Sequence, residues 1–330
     1  MSLTILNADE LESLEHRAAN QLGDDVLMTR AGQEAARLIE TRLGQQAKVT
    51  VLAGPGNNGG DAMALACELK EKAFDVVLVL PAGHRPHTDL ALAQLARWEA
   101  LGGVVETDPY MTRKADCMVD GLFGTGLQKP ITGDYLDTVL WFNERQALKI
   151  ALDIPSGLNA ATGHWVGTYP GIHADITLAF LATKAGLYMN DGADAAGEIV
   201  VDTLDVSIPL TNLSVLSNDE IQHVLNVRRR NTHKGDFGHV AVIGGDTGMI
   251  GASLLAARAA LQCGAGRVTL APLSEKAPAV DPLYPELMMA PAGTIPERAS
   301  VIVIGCGLGQ SDAANALVRQ ALSLDKPLVI

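Results

Sequence analysis

The stretch KVTVLAGPGNNGGDAMALACELKEKAFDVVLVL, residues 48–80, decides the fold class of this chain. It predicts a buried strand at 48–54, a helix at 64–72 and a second strand at 75–80. Continuous apolar strands that alternate with helices are typical of a parallel sheet covered by helices on both faces. The segment therefore predicts a three-layer α/β protein.

The same alternation continues on both sides of this stretch. Residues 8–43 predict two helices separated near Gly23, because apolar side chains recur on one face of each. One further helix is predicted at 88–101. The remaining strands of this part are predicted at 115–120, 148–154, 175–180 and 198–202.

A second α/β alternation begins after an irregular, polar connection at 203–231. We predict a boundary near residue 212, which gives domains at 1–211 and 212–330. The second domain is predicted to contain strands at 239–245, 267–272, 300–305 and 327–330, with helices at 251–263 and 311–323. Because few residues follow the boundary, we interpret the second domain as incomplete.

The amino-acid composition limits the kinds of molecule that this protein is expected to bind. The 330 residues carry a formal net charge of −13, which argues against binding to nucleic acid or to an anionic membrane surface. The four cysteines are widely spaced and form no CxxC pair, so reduced thiols in the cytoplasm are expected rather than a zinc site or disulfides. The acidic N-terminus lacks the long apolar run of a signal peptide or membrane span.

Residues 54–61, GPGNNGGD, follow the first strand and precede a helix. Backbone N–H groups at a helix N-terminus bind anions, and Gly59 and Gly60 would let a phosphate approach closely. The segment matches neither the dinucleotide fingerprint nor the Walker A motif. A tight turn without any ligand remains the alternative interpretation.

Three more polar clusters follow the ends of other predicted strands. They begin at Asp120, at Asp153 and at Lys184. Since parallel strands end at one edge of a sheet, these clusters and residues 54–61 predict a single crevice. The alternatives are that Asp153 is only a cap or turn residue, and that Lys184 is an ordinary surface lysine.

At these positions the sequence resembles the NAD(P)H-hydrate epimerase family. NNGGD, DGLFGTGL, DIPSG and the later lysine occur in the order and spacing of that family, over about residues 8–205. The resemblance implies a Rossmann-like fold. It also implies interconversion of the R and S epimers of NADHX and NADPHX, the 6-hydroxy forms of NADH and NADPH. The family usually reads NNGGDG, and Ala62 stands here in place of the last glycine.

The resemblance also implies roles for individual residues. Asp153 and Lys184 would be catalytic, and a potassium ion would be bound by Asn58, Asp120 and Ser156. The implied substrate contacts are Asn57, Asn58, Gly59, Gly60, Asp61, Gly124, Thr125, Gly126, Leu127, Gln128, Lys129, Pro130, Tyr135 and Asp153.

The second domain resembles the N-terminal part of ADP-dependent NAD(P)H-hydrate dehydratase, a ribokinase-like fold. HKGDFGHVAVIGG, GMIGA and IGCGLG occur in the family order over about residues 213–330. The resemblance implies substrate contacts at Ala252 and Gly307 and a requirement for ADP and Mg²⁺. The later sections of that family, including its ADP-binding Gly-rich loop, do not occur in this sequence. We therefore expect epimerase activity and incomplete dehydratase activity.

Two other classes of function are alternatives to this hypothesis. A non-catalytic nucleotide-binding or scaffolding protein would use the same pocket, but Asp153 and Lys184 favour catalysis. A sugar or vitamin kinase would need a phosphoryl-transfer loop, which the second domain lacks. We further expect NADHX or NADPHX as the small-molecule partner and a cytoplasmic homo-oligomer.

Overall fold

The computed structural model describes residues 3–112, 114–209, 211, 213–224 and 228–330. The chain forms two compact units, Met1–Leu225 and Asn226–Ile330. The functional division predicted near residue 212 stays a prediction. Among the described residues, no helix has both the length and the apolar character that a membrane crossing requires.

Nine strands and seven α-helices are described in the first unit. The strands are β1 (Leu3–Thr4), β2 (Lys48–Ala53), β3 (Asp75–Val79), β4 (Val105–Glu106), β5 (Cys117–Gly121), β6 (Leu148–Leu152), β7 (Ile176–Phe180), β8 (Glu198–Asp202) and β9 (Ser214–Val215). The helices are α1 (Ala8–Leu22), α2 (Asp24–Leu43), α3 (Asn57–Glu71), α4 (Asp89–Ala100), α5 (Asp134–Glu144), α6 (Gly192–Ala195) and α7 (Asn218–Val224).

The central sheet of the first unit has seven parallel strands in the order β4-β3-β2-β5-β6-β7-β8. The chain runs outward from β2 to β4 and then returns to β5 on the other side of β2. The strand order therefore reverses between β2 and β5, and ligands of open α/β sheets bind beyond the carboxyl ends of strands at such a point. Separately, β1 pairs with β9 in a short antiparallel ribbon.

Alternate side chains of each strand pack on opposite faces of this sheet. In β2, Val51 belongs to a large apolar cluster, whereas Leu52 belongs to a separate one that includes Trp141 of α5. Helices α2, α3 and α4 contact one another, and most of their buried apolar residues belong to the cluster of Val51. The predicted three-layer α/β architecture is confirmed.

The predicted strands and helices are present, and the structure adds short elements that were not predicted, namely β1, β4, β9, β12, α6 and α7. Helices α1 and α2 meet at Gly23 as predicted, and every predicted strand is present within about two residues. The helix predicted at 64–72 is wrong at its start, because α3 begins at Asn57 and includes most of the predicted loop. Helix α5 was not predicted, since the polar residues around Asp134 concealed its apolar face of Val139 and Phe142.

The second unit repeats the architecture on a smaller scale. Its strands and helices are β10 (His239–Gly244), α8 (Ile250–Gln262), β11 (Arg267–Pro272), β12 (Met288–Met289), β13 (Val301–Ile304), α9 (Asp312–Leu322) and β14 (Leu328–Val329). The five strands are parallel and ordered β12-β11-β10-β13-β14. The order reverses between β10 and β13, so the segments after these strands lie at the position where ligands bind in such sheets.

Candidate active site

A cavity of about 900 Å³ lies at the carboxyl edge of the first sheet, where the strand order reverses. Its walls come from α1, α2, the start of α3, the start of α4 and the segments that follow β5, β6 and β7. Predicted site residues that line it are Asn57, Asn58, Asp61, Gly124, Thr125, Gly126, Leu127, Gln128, Lys129 and Asp153. A cavity of this size can hold a ligand as large as a nucleotide.

The N-terminal end of α3 lies at the wall of this cavity. The preceding residue, Gly56, supplies no side-chain cap, and Asn57 is exposed. The uncapped N–H groups and the positive end of the helix dipole favour an anion at this position. Residues 57–61 were expected in a loop, and their helical conformation aims these N–H groups along the α3 axis.

Asn58 presents an amide that has no partner. The residue is 9% exposed, and neither its Oδ1 nor its Nδ2 atom makes a hydrogen bond within the described part of the chain. A buried amide without partners costs on the order of 1–3 kcal/mol. Such a group is common at sites that bind an ion or a polar ligand, because the ligand supplies the missing interaction.

Gly59 and Gly60 are buried inside α3, and their predicted contact with the substrate stays a prediction. A Cβ atom on Gly59 would lie 1.9 Å from the carbonyl oxygen of Gly54, and one on Gly60 would lie 2.4 Å from the Met28 methyl carbon. These glycines therefore allow α3 to pack closely against the end of β2 and against α2.

Asp120, at the carboxyl end of β5, is fully buried and tied to the segment after β6. Ser156 donates to its carboxylate twice, from the backbone N–H at 2.8 Å and from the hydroxyl at 2.6 Å. The Leu122 N–H donates a third hydrogen bond at 3.1 Å. Burial raises the pKa of Asp120 to about 6, although the bonds from Ser156 and Leu122 act in the opposite direction.

The three predicted potassium ligands lie along neighbouring segments of this edge. The Ser156 hydroxyl accepts a hydrogen bond from the Phe123 N–H at 2.8 Å, which links the Asp120 and Ser156 pair to the turn after β5. A Cβ atom on the next residue, Gly124, would lie 3.4 Å from the Asn58 Cβ, so this turn reaches the start of α3. An amide oxygen, a carboxylate and a hydroxyl are oxygen ligands that suit a weakly hydrated cation, and the unpartnered Asn58 amide is consistent with such a site.

Asp153 and Lys184 form a buried ion pair. The Lys184 side chain is 3% exposed, and its ammonium donates to Asp153 Oδ1 and to the Phe180 carbonyl oxygen. Asp153 also accepts the Phe180 N–H at 3.2 Å, and its side chain is 17% exposed. Lys184 is thus not a surface lysine, and Asp153 is the member of the pair that lines the cavity.

Tight turns with left-handed backbone follow β6 and β7. Asp153 has φ 65° and Leu181 has φ 62°, values that non-glycine residues rarely adopt. Each residue is the centre of a turn closed by a hydrogen bond between its two neighbours, from Ile154 to Leu152 and from Ala182 to Phe180. Strained backbone of this kind is often found at functional sites, and both central residues line the cavity.

Four predicted substrate contacts lie outside the cavity lining: Gly59 and Gly60 inside α3, and Pro130 and Tyr135. Tyr135 packs edge-on against Phe123 at 4.9 Å between ring centroids and stacks on His84 at 5.2 Å. Phe123 itself lines the cavity, so Tyr135 supports the wall from behind. Pro130 is exposed and lies beside Gly167, at the end of the segment that forms this wall.

The sequence did not indicate several residues that line the cavity. They include Glu15 and His16 of α1, and His87 and Thr88 at the start of α4. In the sequence, Glu15 and His16 are ordinary polar residues of an amphipathic helix, so no local signal separates them from solvent-exposed neighbours.

In the second unit the two predicted contacts lie next to each other. A Cβ atom on Gly307, which has φ 66°, would lie 3.0 Å from the Ala252 Cβ and 2.5 Å from the Met249 carbonyl oxygen. The Asp246 N–H donates to the Gly307 carbonyl oxygen at 2.7 Å. The segments after β10 and β13 therefore meet where the order of this sheet reverses, although the roles of Ala252 and Gly307 stay predictions.

Both halves of the chain match known families. Residues 24–186 match the family described as YjeF-related protein N-terminus, and residues 240–330 match the one described as NAD(P)H-hydrate dehydratase. The bifunctional NAD(P)H-hydrate repair enzyme Nnr of Coxiella burnetii is 36% identical over 335 residues, which cover 97% of this chain and 68% of the relative. The Escherichia coli enzyme of the same name is 33% identical, over 99% of this chain and 65% of the relative.

This chain belongs to the bifunctional NAD(P)H-hydrate repair enzyme family. It spans about two thirds of the length of these relatives. The crystal structure of yeast ynu0 superposes with a TM-score of 0.52 at 18% identity, covering 66% of this chain and 98% of the yeast chain, and so supports the fold of the first unit. The family resemblance predicted from the sequence is confirmed.

Proposed function

We propose that the first unit of this repair-family chain interconverts the R and S epimers of NADHX and NADPHX. The buried Asp153–Lys184 pair carries this proposal, because it places a carboxylate in a nucleotide-sized cavity at the point where the strand order reverses. The uncapped N-terminus of α3 opens on the same cavity and suits the pyrophosphate of a dinucleotide.

The reaction inverts one carbon without net oxidation or reduction, so the site must supply groups that move protons. Asp153 accepts hydrogen bonds from the Lys184 ammonium and the Phe180 N–H, which hold its carboxyl group in place at the cavity wall. A carboxylate held in this way can take the proton of the C6 hydroxyl as a general base. Lys184 would neutralise the negative charge that Asp153 brings into the site.

A potassium ion would be bound by Asn58, Asp120 and Ser156. It would supply positive charge close to the uncapped turn of α3 and so help to offset the charge of the pyrophosphate. The Asn58 amide would then gain the partner that it lacks among the described residues. Mg²⁺ suits these ligands less well, because it demands a tighter octahedral shell and usually retains several waters.

The potassium site can be tested by thermal unfolding in KCl and in choline chloride at equal ionic strength. We expect KCl to raise the Tm of the wild type and to have little effect on Asn58→Ala, because the variant lacks the amide ligand. Asn190→Ala serves as the control: its amide donates to the Thr162 carbonyl oxygen and does not line the cavity, so it should be less stable in both salts alike. Equal potassium effects on wild type and Asn58→Ala would contradict the site.

For the second unit we propose the N-terminal part of an ADP-dependent dehydratase acting on S-NADHX and S-NADPHX. The segments that contain Ala252 and Gly307 contact each other where the strand order of this sheet reverses. This contact supports the assignment. ADP and Mg²⁺ would act there by family resemblance. A cytoplasmic homo-oligomer that binds neither nucleic acid nor membranes stays a prediction.

The experiment that tests the proposed function is an epimer-exchange assay. Purified R-NADHX is incubated with the full chain, and the S epimer is followed by chromatography; we expect enzyme-dependent approach to the equilibrium mixture. The alternative is a non-catalytic nucleotide-binding or scaffolding protein. Binding of the hydrated cofactor without any acceleration of exchange would favour that alternative over the proposed enzyme.

A further inference from the structure

Two acidic side chains that line the cavity do not belong to the Asp153–Lys184 ion pair. Glu15 projects from α1 and Asp61 from the second turn of α3, and both line the cavity. Among the described residues, neither side chain forms a hydrogen bond or an ion pair within 4.0 Å. They belong to different helices, so tertiary structure alone brings them to the same wall as Asp153.

An independent observation marks this wall as a place where a ligand binds. The Asn58 amide, one turn before Asp61 on α3, is nine-tenths buried, lines the same cavity and lacks hydrogen-bond partners among the described residues. The carboxylates therefore stand beside an amide that a bound molecule or ion would satisfy, and not on an open acidic surface.

The surroundings of Asp61 and Asp153 differ in charge and in hydrogen bonding. Burial, followed by the negative charges of Asp153 and Glu15, raises the pKa of Asp61 well above its usual range, while the Lys184 ammonium acts weakly against this shift. Asp153, in contrast, receives two hydrogen bonds from donors. A carboxyl group without hydrogen-bond partners and a hydrogen-bonded carboxylate in one cavity are the arrangement expected of an acid and a base in one site.

Glu15 has charged neighbours on its own helix and beyond it. Burial and the charges of Asp153 and Glu12 raise the pKa of Glu15, whereas Lys184 and His16 lower it. No hydrogen bond between Glu15 and Asp61 is observed in the described part of the chain. The Glu15 carboxylate therefore affects Asp61 through its negative charge, across space. Removing that carboxylate would therefore change the electrostatic surroundings of Asp61 without removing a bonded partner.

Epimerisation at a carbon that bears both a hydroxyl and a ring nitrogen needs both an acid and a base. When the base removes the C6 hydroxyl proton, a carbonyl forms at C6 and the C6–N1 bond breaks. The electron pair of that bond stays on N1, which takes a proton from the acid. Rotation about the C5–C6 bond and closure by the reverse steps give the other epimer. Both protons return and no electrons are gained or lost.

We propose that Asp61 is the proton donor of this step, opposite Asp153 as the base, and that Glu15 is a positioning residue whose negative charge keeps the proton on Asp61. The proposal rests on the epimerase function proposed above. It assigns Asp61 a part in the reaction itself, beyond substrate contact, and gives α1 a role in the chemistry of a site built mainly by the sheet.

The first test is a ¹³C NMR titration of the side-chain carboxyls in the full chain, with Asp61→Asn identifying the Asp61 resonance. We expect Asp61 to titrate well above ordinary aspartates, and its midpoint to fall in Glu15→Gln but to change little in Glu15→Asp. Asp9→Asn, an exposed carboxylate-to-amide change on the same helix, is the matched control and should leave the midpoint unchanged. An ordinary Asp61 midpoint, or one indifferent to Glu15→Gln, would overturn the proposal.

The second test is the pH dependence of kcat/KM for epimer exchange. Activity that needs protonated Asp61 declines as pH rises through its pKa, so the lower pKa in Glu15→Gln should move the decline to lower pH by the shift seen in the NMR titration. Asp61→Asn should lose about 10²–10⁴-fold in rate. If the wild type exchanges epimers but the decline of activity with pH is at the same pH in Glu15→Gln, this inference alone is overturned. If the wild type does not exchange epimers at all, the epimerase function itself is overturned.

Discussion

Replacing Asp153 with asparagine is expected to slow epimer exchange by about 10²–10⁴-fold, the usual effect of removing one acid or base group. The amide cannot accept a proton at neutral pH. The fold should be retained, because asparagine tolerates the left-handed conformation that Asp153 adopts at φ 65°. The measurement is the exchange rate of R-NADHX, with circular dichroism and Tm recorded on the same samples.

Asp205→Asn is the matched control for this substitution. Asp205 also has a left-handed backbone, with φ 56°, but its side chain is 91% exposed and it does not line the cavity. The control should exchange epimers at the wild-type rate. If Asp153→Asn were equally active, Asp153 would not be the base, and the buried pair with Lys184 would have a structural role only.

Gly59→Ala is expected to destabilise the first unit severely. The added Cβ would lie 1.9 Å from the Gly54 carbonyl oxygen, and that atom belongs to the backbone at the end of the central strand β2. Alanine gains up to about 1 kcal/mol over glycine in helix propensity. Overpacking of a core costs about 1–3 kcal/mol or more, and the backbone cannot rotate away as a side chain can, so the clash should outweigh the gain.

Urea unfolding measures this effect, and Gly126→Ala is the control. A Cβ on Gly126 would have no atom within 4 Å, and its backbone does not require glycine, so this variant should unfold at the wild-type midpoint. A Gly59→Ala variant as stable as the control would mean that α3 is not packed closely against the end of β2. The glycine would then be free for the phosphate contact predicted from the sequence.

The sequence supported the fold class because the relevant signals are local. Apolar runs such as residues 48–54 and 239–245 are typical of central strands of a parallel sheet, and each is followed by a glycine-rich turn and a helix. The beginning of α3 could not be placed in the same way. Asn57, Asn58 and two glycines have low helix propensity, and their helical state depends on packing against β2 and α2.

The sequence by itself determined which segments carry chemistry, because residues at the carboxyl ends of parallel strands must share one edge of the sheet. Only the tertiary structure decided how those residues are paired. It buried Lys184 beside Asp153, bonded Asp120 to Ser156, and brought Glu15 of α1 to the wall that contains Asp61. Burial and through-space charge depend on neighbours that are distant in the chain, so no local pattern could show that burial and the charges of Asp153 and Glu15 raise the pKa of Asp61.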